Sequence, residues 1–246
     1  MVKKRVGIDI NEVLRAKWLQ FDRFYAQEFG EEGIPENPYV YSSDYFKHYN
    51  FEDVVEEIKV LKDPEETPET INPLDYQENE NGEVPADAIL FKRPEEIKLT
   101  AREVYNRFMY EDYLLELHGS PTVMYRGMDL HVSEFLDKYG NTADFTVMSV
   151  ENRFSIPPTL FFLSKMISRF KNYRFVDKNI EMWEDIDILI TTDPEMLKLG
   201  APWGKKLIKL TRPYNEKIDA GHLEVLQIKD LMDNEKFEKL IKFKKK

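Results

Sequence analysis

Five places in this sequence carry side chains that could do chemistry, and each lies at the end of a short apolar run. The first supplies Asp9 and Asn11, the second Ser149, and the third is followed by Lys178. The fourth supplies Thr191, Thr192 and Asp193, and the fifth leads into Thr211-Arg212-Pro213-Tyr214-Asn215. The chain has no cysteine, which excludes thiol nucleophiles, zinc–thiolate sites and disulfides. Its four histidines, His48, His118, His131 and His222, lack metal-ligand spacing. Any chemistry therefore falls to carboxylates, hydroxyls and a lysine. Taken singly, each has a plain structural reading. An aspartate at a strand end is often a cap or turn residue, Asn11 is a candidate helix N-cap, and Lys178 is a candidate solvated lysine. Their ordered recurrence, one set per strand end, is what calls for a common site.

The elements that must position these residues alternate. Residues 6–10 read as a buried parallel strand, and the spacing of Leu14, Trp18, Phe21, Phe24, Tyr25 and Phe29 predicts a helix over 14–29. In the second half, helices are predicted over 130–139, 160–170, 194–199, 223–231 and 235–243. Strands are predicted over 145–149, 173–176, 186–191 and 206–210. That alternation implies an α/β fold, a Rossmann-like parallel sheet with right-handed crossovers. In such sheets ligands bind beyond the carboxyl ends of the strands. A core of 1–30 plus 126–246 would then carry a partly helical, cap-type insertion at 31–125. Within the insertion, 39–49 is an aromatic segment, 51–61 a short amphipathic helix, 63–86 a long polar loop, and a helix opens at Pro94 and runs to about Leu117. The aromatic residues Tyr39, Tyr41, Tyr45, Phe46 and Tyr49 fit a nucleobase-stacking cap, a core or a partner interface, where tyrosine is enriched.

The 246 residues, 42% hydrophobic and 13% aromatic, suffice for a sizeable core. A net charge of −11 argues against nucleic acid as a partner, since phosphate neutralisation needs a basic surface. The dense basic run, 242–246, is a short tail of the kind that is usually solvated. The start Met1-Val2-Lys3-Lys4-Arg5 looks like that of a signal peptide, but the following apolar run is short and broken by Asp9 and Asn11. No apolar run is long enough to span a membrane. The expected location is the cytoplasm, or the inside of a virion or other large complex.

The chain resembles the haloacid dehalogenase (HAD)-like superfamily of phosphohydrolases, and within it the 5'(3')-deoxyribonucleotidases. The first family motif is a strand ending in Asp-x-Asp, followed by a small or polar residue, Val or Thr, and Leu. Here it is Val6-Gly7-Ile8-Asp9-Ile10-Asn11-Glu12-Val13-Leu14. The second is an apolar strand ending in Ser or Thr, here Phe145-Thr146-Val147-Met148-Ser149, and the third a lysine, here Lys178. The fourth is a strand ending in paired acids, here Ile188-Leu189-Ile190-Thr191-Thr192-Asp193, and a Pro-Tyr-Asn turn often follows the next strand, here Pro213-Tyr214-Asn215. The likeness covers residues 1–30 and 128–216; the insert occupies the position of the family's cap, and the likeness does not extend to its sequence.

The resemblance implies that Asp9 stands at the nucleophile position and that Ser149 and Lys178 hold phosphate oxygens. Asn11 stands at the acid/base position, where a carboxamide cannot transfer a proton, a loss of about 10²–10⁴ in rate. Mg²⁺ would need Asp9 and Asp193, because Thr191 and Thr192 replace the paired acids without charge. Glu12 is a poor substitute for the missing acid, since neighbours on an extended segment point apart. The losses fall on proton transfer and metal binding. The expectation is therefore a non-catalytic protein with a degenerate active site, needing no cofactor. It would act in protein–protein assembly, as a structural component of a phage particle does, with partners at 31–125 and the termini. The alternative is a Mg²⁺-dependent phosphatase or nucleotidase acting through an aspartyl-phosphate.

Overall fold

A computed structural model describes residues 3–29, 106–166, 169–219 and 222–242. The segments 39–49, 51–61 and 63–86, and the first part of the helix opening at Pro94, lie outside the described residues, as does nearly all of the basic tail.

The sheet is six-stranded and wholly parallel, in the order β3-β2-β1-β4-β5-β6. Its strands are β1 Lys4–Asp9, β2 Ala143–Val150, β3 Asn172–Val176, β4 Ile188–Thr191, β5 Lys206–Leu210 and β6 Leu223–Val225. The fold is thus α/β and Rossmann-like. Four consecutive buried residues end β1, and all four of β4 are buried. Runs buried on successive residues mean that both faces of the sheet are covered. Gly7 lies at the centre of the sheet, where a Cβ would lie 2.6 Å from Met148 Sδ and 2.9 Å from Ile186 Cδ1, so both side chains would have to shift to admit one.

The main helices are α1 Lys17–Phe29, α2 Leu114–His118, α3 Met128–Tyr139, α4 Ile156–Met166, α5 Pro194–Leu199 and α6 Glu235–Ile241. One apolar cluster joins Met148, Val176, Met182, Trp183, Ile186, Leu189, Met196, Leu197 and Leu207. A second is aromatic: Phe135 of α3 meets Phe145 of β2 at 5.1 Å and Phe237 of α6 at 5.6 Å between ring centroids. Among the described residues no helix is long and apolar enough to cross a membrane.

Two elements differ from the sequence reading. Residues 223–231, expected as one helix, form β6 and then a 3₁₀ turn, Ile228–Leu231. The reason is local: Leu223 and Val225 are buried with Glu224 exposed between them, a period of two that extends the sheet. The helix expected from residue 14 starts only at Lys17. Residues 10–16 instead coil into a turn, in which the Leu14 and Arg15 amides both donate to the Ile10 carbonyl. Arg15 also bridges to Val123.

The strand order places the site. The chain runs β1, β2, β3 to one side, then crosses to β4 on the other flank of β1. That reversal opens a crevice at the carboxyl ends of β1, β2 and β4, where Asp9, Ser149 and Thr191 all lie.

Candidate functional site

Asp9 closes β1 and is buried. Thr191 Oγ1 donates to its Oδ2 at 2.7 Å, and the Asn11 amide donates to its Oδ1 at 3.3 Å. Burial pushes its carboxyl up to about 7; the Thr191 bond opposes this and the charge of Asp193 adds to it. Thr191 Oγ1 in turn accepts from the Asp193 amide at 3.0 Å. Asp193 is the N-cap of α5, its Oδ1 accepting from the amides of Glu195 at 2.7 Å and Met196 at 3.3 Å. Its carboxyl is raised by burial to about 6 despite those bonds.

The turn after β1 has a residue with positive φ, Glu12 at 58°. Its side chain is buried, and Oε1 accepts from the Trp18 amide at 2.8 Å, capping α1. Burial raises the Glu12 carboxyl to about 7. The turn also folds Arg15 back beneath Asn11.

Arg15 is fully buried, and its guanidinium makes five hydrogen bonds. Nε and Nη2 donate to Asn11 Oδ1 at 3.1 and 2.6 Å. Nη2 also donates to Glu151 Oε1 at 2.5 Å. Nη1 donates to the His118 carbonyl at 2.8 Å and to Thr159 Oγ1 at 2.7 Å. The other end of Asn11 donates from Nδ2 to Ser149 Oγ at 3.0 Å, and Ser149 passes its proton on to Glu151 Oε1 at 3.0 Å. Ser155 Oγ donates to Glu151 Oε2 at 2.5 Å, and His118 Nδ1 lies 3.3 Å from that oxygen. Burial by itself would raise Glu151, but Arg15 and His118 outweigh it and hold the carboxyl well below its usual range. Burial lowers His118 to about 4 and Lys17 to about 8. Lys17 Nζ stands 4.5 Å over the Trp18 ring.

The turn after β5 is a brace. Asn215 Nδ2 donates to the carbonyls of Thr192 at 2.8 Å and Leu210 at 3.0 Å. Arg212 Nη2 reaches the Glu12 carbonyl at 2.9 Å. The ends of β1, β4 and β5 are thereby tied together.

Of the residues singled out in the sequence, Asp9, Asn11, Ser149, Thr191, Thr192 and Asp193 meet at one place. Lys178 does not join them: it is exposed, and among the described residues no hydrogen bond or ion pair links it to Asp9, Asn11 or Ser149. Arg15, Glu151, Thr159 and Ser155 were missed. The available signal was a charge inside the run Val13-Leu14-Arg15-Ala16, four residues after Asn11, and an acid two residues after Ser149.

The donor set does not suit Mg²⁺. The Thr191 hydroxyl points its proton at Asp9, and the Thr192 hydroxyl points its proton at the Asn11 carbonyl at 3.3 Å. Neither hydroxyl brings the negative charge that the family's paired acids would supply to a cation. Asp193 spends an oxygen on α5, and among the described residues no group of three or more acidic or histidine side chains is disposed to hold a metal.

Fold and site together define a doubly wound α/β protein whose strand-end cluster is polar, buried and largely bonded to itself. No model of a known protein family and no curated protein matches the chain.

Proposed function

We propose that the chain is a non-catalytic protein on a haloacid dehalogenase-like scaffold, and that it works by binding other protein chains in an assembly. One observation carries the reading: the guanidinium of Arg15 seated on Asn11. An acid/base residue must be free to bind and release a proton. The side chain at this position is a carboxamide, and a permanent cation covers its oxygen. An acid placed there would be held ionised by Arg15 and would donate no proton. Ser149 supports the same reading, because its hydroxyl already accepts from Asn11 and donates to Glu151. It could clamp a phosphate only by breaking that network.

The test is a phosphatase assay of the full chain with Mg²⁺, on nucleoside monophosphates and on a generic aryl phosphate. Turnover should not exceed background, and Asn11→Asp should not raise it. Robust turnover abolished by Asp9→Asn would sink the reading in favour of a phosphatase acting through an aspartyl-phosphate. The assembly half predicts crosslinks from residues 31–125 to other chains under native conditions. Crosslinks confined to single chains would count against it.

A further inference from the structure

Lys17, the first residue of α1, is only 5% exposed. Side chains of a helix lean toward its amino end, so this one reaches back past the start of α1 toward the strand ends. The charges that act on it mark the same direction. Glu151, Arg15, Glu12 and Asp9 all bear on its ammonium, and it bears in turn on His118. Asp9 closes β1, Glu12 and Arg15 belong to the turn after it, Glu151 follows β2 and His118 ends α2. Among the described residues the Lys17 ammonium makes no hydrogen bond and no ion pair; it meets the face of the Trp18 ring, 4.5 Å away. The carboxyls around it are engaged elsewhere: Glu151 with Arg15, Ser149 and Ser155, Glu12 with the Trp18 amide, and Asp9 with Thr191.

An ammonium carries three N–H donors, and burying it with none of them bonded is costly. Loss of a proton removes the charge and relieves most of that cost. Burial accordingly lowers Lys17 to about 8, against the pull of the acids around it. The neutral amine then has a lone pair that no donor among the described residues holds, and a desolvated amine of this kind is a nucleophile toward carbonyl carbon. The surroundings select the carbonyl compound. Arg15 and His118 hold Glu151 ionised, and Asp9 and Glu12 are carboxyls, so an anionic compound is repelled. So nearly closed a position admits only a small one.

We propose that Lys17 is a covalent carbonyl site, which takes a small uncharged aldehyde as an imine. The nitrogen lone pair adds to the carbonyl carbon to give a carbinolamine, and the C–O bond then breaks as C=N forms. Both amine protons leave with the oxygen as water, so nothing is oxidised or reduced. Addition of water reverses the step, and the site loads and unloads with the aldehyde concentration. The inference goes beyond the assembly reading and does not depend on it.

Reductive trapping tests it. The full chain is incubated with acetaldehyde and sodium cyanoborohydride, which turns each imine into a stable ethylamine, and peptide mapping by mass spectrometry locates the products. At about pH 7.5 an amine lowered to about 8 is roughly one quarter unprotonated, and an ordinary lysine roughly one part in a thousand. Lower basicity and narrow access take back part of that difference, so Lys17 should be ethylated roughly tenfold faster, or more, than the exposed Lys171 and Lys178. Its rate should level off above about pH 8 while theirs continue to climb. The preference should vanish in concentrated urea, and glyoxylate, an aldehyde that carries a carboxylate, should show none. The native chain supplies its own reference lysines, so the result does not hang on a variant that folds. Lys17→Arg should lose the fast lysine and keep the fast labelling of the α-amine, which is ordinarily of similar basicity. Labelling of exposed lysines with Lys17 unmodified overturns the inference, as does a preference that survives in urea. A preference for glyoxylate over acetaldehyde makes the position an anion site and also overturns it. Those outcomes leave the non-catalytic reading intact, which fails on Asp9-dependent turnover.

Discussion

At the scale of single residues, the site is organised around Arg15 and Glu151. Both are fully buried, and each satisfies the other's charge with help from Asn11, Ser149, Ser155 and Thr159. A buried pair of this kind is costly to break but need not stabilise relative to an apolar pair. Arg15→Met alone would leave Glu151 buried without its counter-charge, a loss of about 3–5 kcal/mol. Arg15→Met with Glu151→Met removes both charges, and most of that loss should return. Urea unfolding of the two variants separates the cases: a double variant no more stable than the single would show that the pair does more than neutralise itself. The pair was not legible in the sequence, because its members lie 136 positions apart and either residue alone reads as a surface charge. Asp9, Ser149 and Thr191 were legible because each ends a run that reads as a strand.

At the scale of elements, strands β1, β2, β4 and β5 follow from apolar runs, since a strand covered on both faces has no polar alternation. β6 was misread because three residues of alternating burial fall inside a longer stretch of mixed apolar spacing. Asp193, a candidate metal ligand in the sequence, is also the N-cap of α5. Asp193→Ala should therefore cost about 1 kcal/mol, the usual worth of a cap, and Asp193→Asn should cost much less because asparagine caps equally well. Equal losses in thermal unfolding would point to a role for the charge itself. Gly7 marks the closest approach of β1 to its neighbours. Gly7→Ala should destabilise by about 1–3 kcal/mol through overpacking against Met148 and Ile186. An unchanged melting temperature would mean that β1 shifts freely, and Asp9 with it.

At the scale of the whole molecule, the buried acids make stability depend on pH in an unusual direction. Asp9 and Glu12 are raised to about 7 and Asp193 to about 6, each chiefly by burial. A carboxyl raised in the folded state binds more protons there than in the unfolded chain, so its stabilisation is full at acid pH and is lost as pH rises through the folded value. His118, lowered to about 4, acts in the opposite sense between about 4 and 6.5 and offsets one of the three acids over that range. Stability should therefore fall between about pH 5 and 7, by roughly 1.4 kcal/mol per pH unit for each extra proton the folded state still holds. It should level off toward pH 8, where Lys17, lowered to about 8, begins to act in the opposite sense. Asp9→Asn sharpens the expectation, because asparagine resembles the neutral acid in shape and in its bond from Thr191. The substitution should be close to neutral at about pH 4 and stabilising at pH 8, on the order of a few kcal/mol. Chemical denaturation at the two pH values measures the difference directly. A loss of stability at pH 8 would mean that the folded protein needs the Asp9 charge, as an aspartate poised for attack or for a cation would. It would favour the phosphatase reading over the non-catalytic one.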